Sequence, residues 1–346
     1  MPTVASLCSG YGGLDLGLAL KIGPVDHQWF AEIDPAPAAV LAARFPKIPN
    51  LGDLATIDYS TLIRPDWLTA GFPCQPASQA GKQKGMDDDR WLWDEVARAV
   101  AGLRPRHVLL ENVLGLLTVD GGRPFERVIC DLAALGYVGS WGVVRASEAG
   151  APHRRERVFI RALDAHADEQ SRDLGTGLRA GESGGIGRGR PHDLHAQTPA
   201  DADGTGLEGR GSAVRDPAQE PAHDGAVPDT YGSGRALVGG QQSEQRDADR
   251  RDSENTAWRD YEPAVRYWER VIGRPAPRPV LDAPSGARHL NPRFVEWMHG
   301  LDDGWVTAVP GLDREDCLRV LGNGVCPRQA ALAVPLLAVT REAVAA

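Results

Sequence analysis

The order of apolar and polar positions divides the chain into two regimes. From residue 1 to residue 164, short apolar runs alternate with segments of helical spacing. TVASLC (3–8) is a strand-like run ending in the turn SGYGG, and LDLGLALKI (14–22) follows with helical spacing. HQWFAEI (27–33) reads as a strand and PAPAAVLAARF (35–45) as a helix opened by proline. WLTAG (67–71) is strand-like and enters a turn-rich loop. WLWDEVARAVAGL (91–103) is an amphipathic helix, HVLLEN (107–112) a buried strand with a polar end, and FERVICDLAALG (125–136) a helix closed by glycine. YVGSWGVVRAS (137–147) and ERVFIRAL (156–163) are strands. This alternation predicts an α/β fold, a parallel, doubly wound sheet with helices on both faces. Ligands of such sheets bind at the carboxyl ends of the strands.

The second regime begins at residue 165. Of the 93 residues 165–257, ten are Ile, Leu, Val, Met, Phe, Trp or Tyr, too few to offset the entropy of ordering the chain. The segment is expected to be largely disordered or loosely held; DADGTG (201–206) and DTYGSG (229–234) are a weak internal echo, not a solenoid. Periodicity resumes near Trp258. Tyr261, Val265, Trp268 and Ile272 fall on one helical face, Pro275, Pro277 and Pro279 enforce an extended stretch, and NPRFVEWMHGL (291–301) reads as a helix started by Asn291 and Pro292. A long apolar helix, 325–345, is expected after LGNGVCP.

Composition narrows the class. No run of eighteen apolar residues spans a membrane, and the N-terminus lacks a basic segment followed by an apolar one. Five cysteines (Cys8, Cys74, Cys130, Cys317, Cys326) without a CxxC pair argue against a disulfide framework and a structural zinc site, so a reducing cytoplasm and no metal are expected. The net charge of −9 does not advertise a nucleic-acid binder. Residues 140–190 nevertheless carry nine basic against seven acidic groups, and 250–295 nine against six.

Four segments carry candidate chemistry. In SLCSGYGGLDLGL (6–18) a strand ends, glycines turn the chain and a helix starts, so a cofactor can approach backbone N–H groups; a plain tight turn is the alternative. Further on, Glu32 ends the next strand, where a carboxylate can bind both hydroxyls of a ribose. Asp34 beside it suits a helix N-cap. Asp53, in GDLAT, can take a hydrogen bond from an adenine amino group or be an ordinary turn aspartate. GFPCQPAS (71–78) holds Cys74 between prolines in a polar loop, an unusual place for a core thiol. LLENV (109–113) ends a buried strand in Glu111 and Asn112, where burial raises a carboxyl's pKa. HRRERVFI (153–160) alternates Arg155 and Arg157 with Glu156, so both arginines face one side of a strand, or else line a solvated edge.

Taken in order, SGYGG, GFPCQ, ENV, RRERVFI and the terminal GNGV resemble the cytosine-C5 DNA methyltransferase family of bacterial or phage type. The resemblance covers residues 1–164 and 288–346. It implies a Rossmann-like S-adenosylmethionine-dependent methyltransferase sheet plus a small, loop-rich target-recognition region. Residues 1–164 would form the catalytic and cofactor-binding domain, 165–287 the target-recognition region, and 288–346 a segment returning to the catalytic domain. Cys74 resembles the nucleophile, Glu111 the acid facing the pyrimidine, and Arg155 and Arg157 the arginines holding the flipped base and the nucleophile loop. Cofactor contacts would come from Cys8, Ser9, Gly10, Gly12, Gly13, Glu32, Ile33, Asp53, Leu54, Pro73, Leu92, Asn323 and Val325. Gln75, Ser78, Asn112 and Val113 would position the substrate. Three positions depart from the family pattern: Cys8 stands where Phe is usual, Ile33 where a stacking Trp is common, and His153 where Gln is usual.

The implied partners are S-adenosylmethionine and double-stranded DNA, for a monomer active in restriction–modification or phage self-protection, with a restriction endonuclease as a genetic partner. Residues 75–90, with two lysines and glycine hinges, are the expected lid. A related enzyme acting on RNA and a non-catalytic scaffold with a decayed site remain as alternatives; the intact Cys74, Glu111, Arg155 and Arg157 argue against decay.

Overall fold

In the computed structural model, described over residues 1–73, 91–166, 258–282 and 286–338, a six-stranded sheet forms the frame. Its strands are β1 (Thr3–Leu7), β2 (Asp26–Ala31), β3 (Trp67–Ala70), β4 (His107–Val113), β5 (Tyr137–Arg145) and β6 (Glu156–Asp164). The spatial order is β2-β1-β3-β4-β6-β5. β2, β1, β3 and β4 run parallel, whereas β6 is antiparallel to both β4 and β5. The expected all-parallel sheet is therefore a mixed one. Residues 146–155 joining β5 to β6 are too few for a crossover helix, so the pair closes as a hairpin and β6 slots in beside β4.

Alternation along the strands feeds two cores. Ala5, Leu7, Leu68, Ala70, Val108, Leu110, Val158 and Ile160 face α3 (Trp93–Leu103) and α4 (Arg123–Ala134). Val4, Trp67, Leu109 and Phe159 face the opposite way, against α1 (Gly13–Ile22) and a helix near the chain's end, residues Pro327–Leu336. Four other helices complete the described part: α2 (Pro35–Arg44), α5 (Glu262–Ile272), α6 (Pro292–Met298) and α7 (Arg314–Asn323), so the terminal one is α8. α2 and α7 share a third cluster with Tyr11, Leu301 and Val306, and Trp258, Trp268 and Trp297 anchor a fourth. A two-stranded ribbon pairs β7 (Val280–Asp282) with β8 (Arg288–Leu290).

The far end of the chain is tied to its beginning. The Tyr11 hydroxyl donates to the Val325 carbonyl at 2.6 Å, and Trp305 Nε1 donates to the Tyr11 carbonyl at 3.0 Å. Asn291 opens α6 as its cap, accepting from the Arg293 amide at 3.0 Å, with Pro292 at the first helical position.

Some boundaries move. β2 stops at Ala31, leaving Glu32 and Ile33 beyond the strand. Tyr261 sits in a turn ahead of α5 and is 69% exposed, so the buried stripe of that helix is carried by Val265 and Trp268. α8 ends at Leu336 rather than 345: Pro335 interrupts its last turn, and Leu337 leaves helical geometry. Cys130, on α4, is exposed. The expectation of a loosely held 165–257 lies, from residue 167 on, outside the described residues. Among the described residues, no helix is long and apolar enough to cross a membrane.

Candidate active site

The site lies past the carboxyl ends of β1 to β4. β1 ends at Leu7, and the chain then turns through Cys8 and Gly10, both with positive φ (47° and 55°), before the Gly12 amide closes on the Ser9 carbonyl at 2.8 Å. Gly10 occupies left-handed backbone at no steric cost, whereas Cys8 stores about 1–2 kcal/mol of strain there. Asp15, in the first turn of α1, underpins the turn. Its carboxylate is buried and accepts from Ser6 Oγ at 2.8 Å and Thr69 Oγ1 at 2.7 Å, joining β1, β3 and α1. Burial raises the Asp15 pKa, against the pull of His27 and the two hydroxyls.

Glu32 braces the turn from the other side. Its Oε2 accepts from the Gly10 amide at 2.8 Å and its Oε1 from the Asp34 amide at 2.9 Å. Asn50 fixes the Glu32 backbone, accepting from its N–H at 2.9 Å and donating to its carbonyl at 3.0 Å. Burial raises the Glu32 pKa, and the backbone donors partly offset it. Each carboxylate oxygen keeps further lone-pair capacity for hydroxyl donors. Asp34 caps α2 through the Ala36 amide at 3.1 Å, as its position suggested. Asp53 is a cap as well, accepting from the Ala55 amide at 3.0 Å.

Across the cleft, β3 runs into Gly71–Phe72–Pro73 and β4 ends in Glu111 and Asn112. Asn112 Nδ2 donates to the Phe72 carbonyl at 2.9 Å, pinning the approach to Cys74 against β4. Phe72 is wedged against Trp93, with ring centroids 5.6 Å apart. Glu111 is buried and pairs with Arg157 Nε at 2.9 Å. Burial raises the Glu111 pKa, and Arg157 and then Arg155 pull the other way. Cys74, Gln75, Ser78 and the expected lid 75–90 lie outside the described residues.

Arg155 and Arg157 do not share a strand face. Arg155 precedes β6 with φ 35°, and its guanidinium donates to the Gly322 carbonyl at 2.7 Å and to that of Gly324. Arg157, on β6, faces the cleft. Behind Arg155, ligand atoms of His153, His299 and Cys326 lie within 4.8 Å of one another. Burial keeps the Cys326 thiol protonated, pushed up to about 12, and lowers both imidazole pKa values; Arg155 and Arg157 lower them further.

A cleft of about 700 Å³ gathers thirteen of the predicted residues: Cys8, Gly10, Glu32, Ile33, Asp53, Leu54, Pro73, Leu92, Glu111, Asn112, Val113, Arg157 and Asn323. Ser9, Gly13 and Val325 line a small adjoining recess. Gly12 and Arg155 line neither. Asp15, Asn50 and Arg319 escaped the sequence reading. A lone acid in the apolar run LDLGLALKI was the available signal for Asp15; nothing local marked the other two.

Residues 2–203 match the family described as C-5 cytosine-specific DNA methylase. The chain belongs to this family. It is 38% identical over 159 residues to the Type II methyltransferase M1.ScrFI of Lactococcus lactis subsp. cremoris, covering 46% of this chain and 40% of that protein. With M.NgoBI of Neisseria gonorrhoeae the identity is 40% over 155 residues, 44% of this chain and 48% of that one. The matched stretch thus spans under half the length of these relatives. Among solved structures, the S. pombe Dnmt2 methyltransferase superposes with TM-score 0.50 at 15% identity, covering 96% of this chain and 97% of that one. Entamoeba histolytica EhMeth gives 0.51 at 15%, covering 96% of each. At these identities the likeness is one of fold, the Rossmann-like methyltransferase sheet.

Members of the C-5 cytosine methylase family take their methyl group from S-adenosylmethionine. The cleft fits that molecule: its volume is within the roughly 300–1,000 Å³ usual for such sites, Glu32 offers a carboxylate for ribose hydroxyls, and the Gly10 turn opens the backbone to close approach.

Proposed function

We propose that the chain is a DNA (cytosine-5-)-methyltransferase that transfers methyl from S-adenosylmethionine to carbon 5 of a cytosine flipped from double-stranded DNA, in restriction–modification or phage self-protection. The observation that carries this reading is one cleft holding a buried carboxyl at 111, paired at 2.9 Å with Arg157, and a half-buried carboxylate at 32 that braces the glycine turn. Pro73, the residue before Cys74, lines the same cleft.

When bound, the cofactor supplies an electrophilic methyl carried on a sulfonium. Carbon 5 of cytosine is too weak a nucleophile to take it unaided. The Cys74 thiolate adds to carbon 6, forming an S–C6 bond and moving the ring's π electrons toward carbon 5. Glu111, whose pKa burial raises, gives a proton to N3 and accepts a hydrogen bond from the exocyclic amino group. Arg157 orients Glu111, and Arg155 holds the start of β6 to the terminal segment through the carbonyls of 322 and 324. Once carbon 5 carries the methyl, water removes its proton, the C5–C6 double bond re-forms and the thiolate leaves. Extruding the base costs a few kcal/mol.

Duplex DNA bearing 5-fluorocytosine tests the reading, because fluorine cannot leave as a proton and the Cys74 adduct is trapped. The wild-type protein with S-adenosylmethionine should give a denaturant-stable protein–DNA adduct. Cys74→Ser should give none while still binding S-adenosylhomocysteine. Undiminished methylation by Cys74→Ser would overturn the assignment.

A further inference from the structure

The lip of the cleft holds a group that the reaction chemistry does not use. Arg319, on α7, lines the same cleft as Ile33 and Asp34 although it lies 285 residues further along the chain. Its guanidinium is held from two sides. One nitrogen donates to Asp34 Oδ2, and Nη2 donates to Asp316 Oδ1 at 3.0 Å. Asp34 is itself fixed: its Oδ1 caps α2, and its amide donates to Glu32, whose other oxygen accepts from Gly10. The arginine therefore ends a polar chain that starts at the glycine turn, yet its side chain stays 45% exposed.

The cleft is poor in surfaces for a purine. Among its described lining residues the one aromatic ring is Phe72, which is 2% exposed and covered by Trp91 and Trp93. Ile33, 67% exposed, offers an aliphatic surface next to Asp34. A guanidinium is planar and weakly hydrated, and it stacks on π systems where an ammonium does not. Arg319 is a cleft-lining cation whose plane is pre-set by two carboxylates and still open to solvent.

We propose that Arg319 is a cofactor-binding residue whose guanidinium covers the nucleoside of the cofactor, in place of an aromatic platform. This rests on the cleft being the S-adenosylmethionine site. Ordering is already supplied by Asp34 and Asp316, so contact with the nucleoside freezes little further side-chain motion.

Calorimetric titration with S-adenosylhomocysteine and with 5′-methylthioadenosine, which keeps the nucleoside but lacks the amino-acid end, tests the proposal. Arg319→Ala should weaken both ligands by roughly 5- to 30-fold. Arg319→Lys, which retains the charge and a partner for Asp34, should weaken both nearly as much. Wild-type affinity in Arg319→Lys would reduce the residue to an ion-pair latch and overturn the proposal, as would a loss confined to S-adenosylhomocysteine. If Arg319→Ala fails to fold, Arg319→Lys decides alone. Wild-type protein that binds neither ligand would overturn the cofactor reading itself; wild-type binding with unaffected variants would overturn only the role of Arg319.

Discussion

At the scale of single residues, the site is a set of groups whose protonation is set by burial. Cys8 and Cys317 are pushed up to about 12 and about 11 by burial, and Cys326 likewise to about 12, so all three stay thiols at neutral pH. Cys130 is exposed, and Cys74, the nucleophile of the proposed mechanism, stands between Pro73 and Pro76 in the sequence. Glu111 and Glu32 are both shifted upward but do different work. Both oxygens of Glu32 are engaged by backbone N–H groups, a bracing role; Glu111 meets a single guanidinium and faces the cleft. Replacing Glu111 with Gln keeps a hydrogen-bonding side chain of the same shape but removes the transferable proton. Turnover should fall by about 10²- to 10⁴-fold, with S-adenosylhomocysteine affinity unchanged. Single-turnover kinetics alongside ligand titration would separate the two, and a parallel loss of ligand affinity would make Glu111 a structural residue.

Elements meet at the site because helices and strands are pulled unusually close, and Gly17 shows the energetic balance. It lies inside α1, where Gly is worse than Ala by about 0.8–1 kcal/mol on helix propensity alone. A Cβ at this position would stand 2.5 Å from Ala330 Cβ and 2.5 Å from the Pro327 carbonyl oxygen on α8. Overpacking a rigid interface costs about 1–3 kcal/mol, which exceeds the propensity gain. Gly17→Ala should therefore destabilise the protein, as denaturant midpoints would register; a stabilised variant would mean that α1 and α8 can separate without loss. Periodicity alone could place α1 and most strands to within a residue or two, because each depends on local pattern. It could not reveal that β6 runs antiparallel between β4 and β5, since the hairpin and an α-crossover differ in what joins the strands, not in the strands themselves. Nor could it reveal the end of α8, where one proline outweighs a continuing apolar run.

Across the whole molecule, the legible part of the site was the part written in short contiguous motifs, and the illegible part was held by long-range partners. Glu32 and Glu111 stand out at strand ends; Arg319 does not, because its partner Asp34 is 285 positions away, and Arg155 left its expected strand face because the carbonyls of 322 and 324 claim it. The same convergence buries titratable groups of opposite tendency around one cleft, and their pH linkages oppose. His299 is buried and its pKa is lowered well below 6.5 by burial and then by Arg155, so the unfolded chain takes up a proton that the native chain refuses. Its contribution to stability is lost as pH falls below about 6.5. Glu111, raised by burial, does the reverse: the native chain holds a proton that the unfolded chain releases, so its contribution is lost as pH rises through the folded pKa. Acidification from pH 7 to 5 should therefore lower the stability of Glu111→Gln more steeply than that of wild type. His299→Met, which keeps the packing without a titrating ring, should fall less steeply, the divergence reaching up to about 1.4 kcal/mol per pH unit for each proton. Denaturant unfolding at both pH values measures both slopes, and identical slopes in all three proteins would mean that neither group is held in the protonation state that its burial imposes.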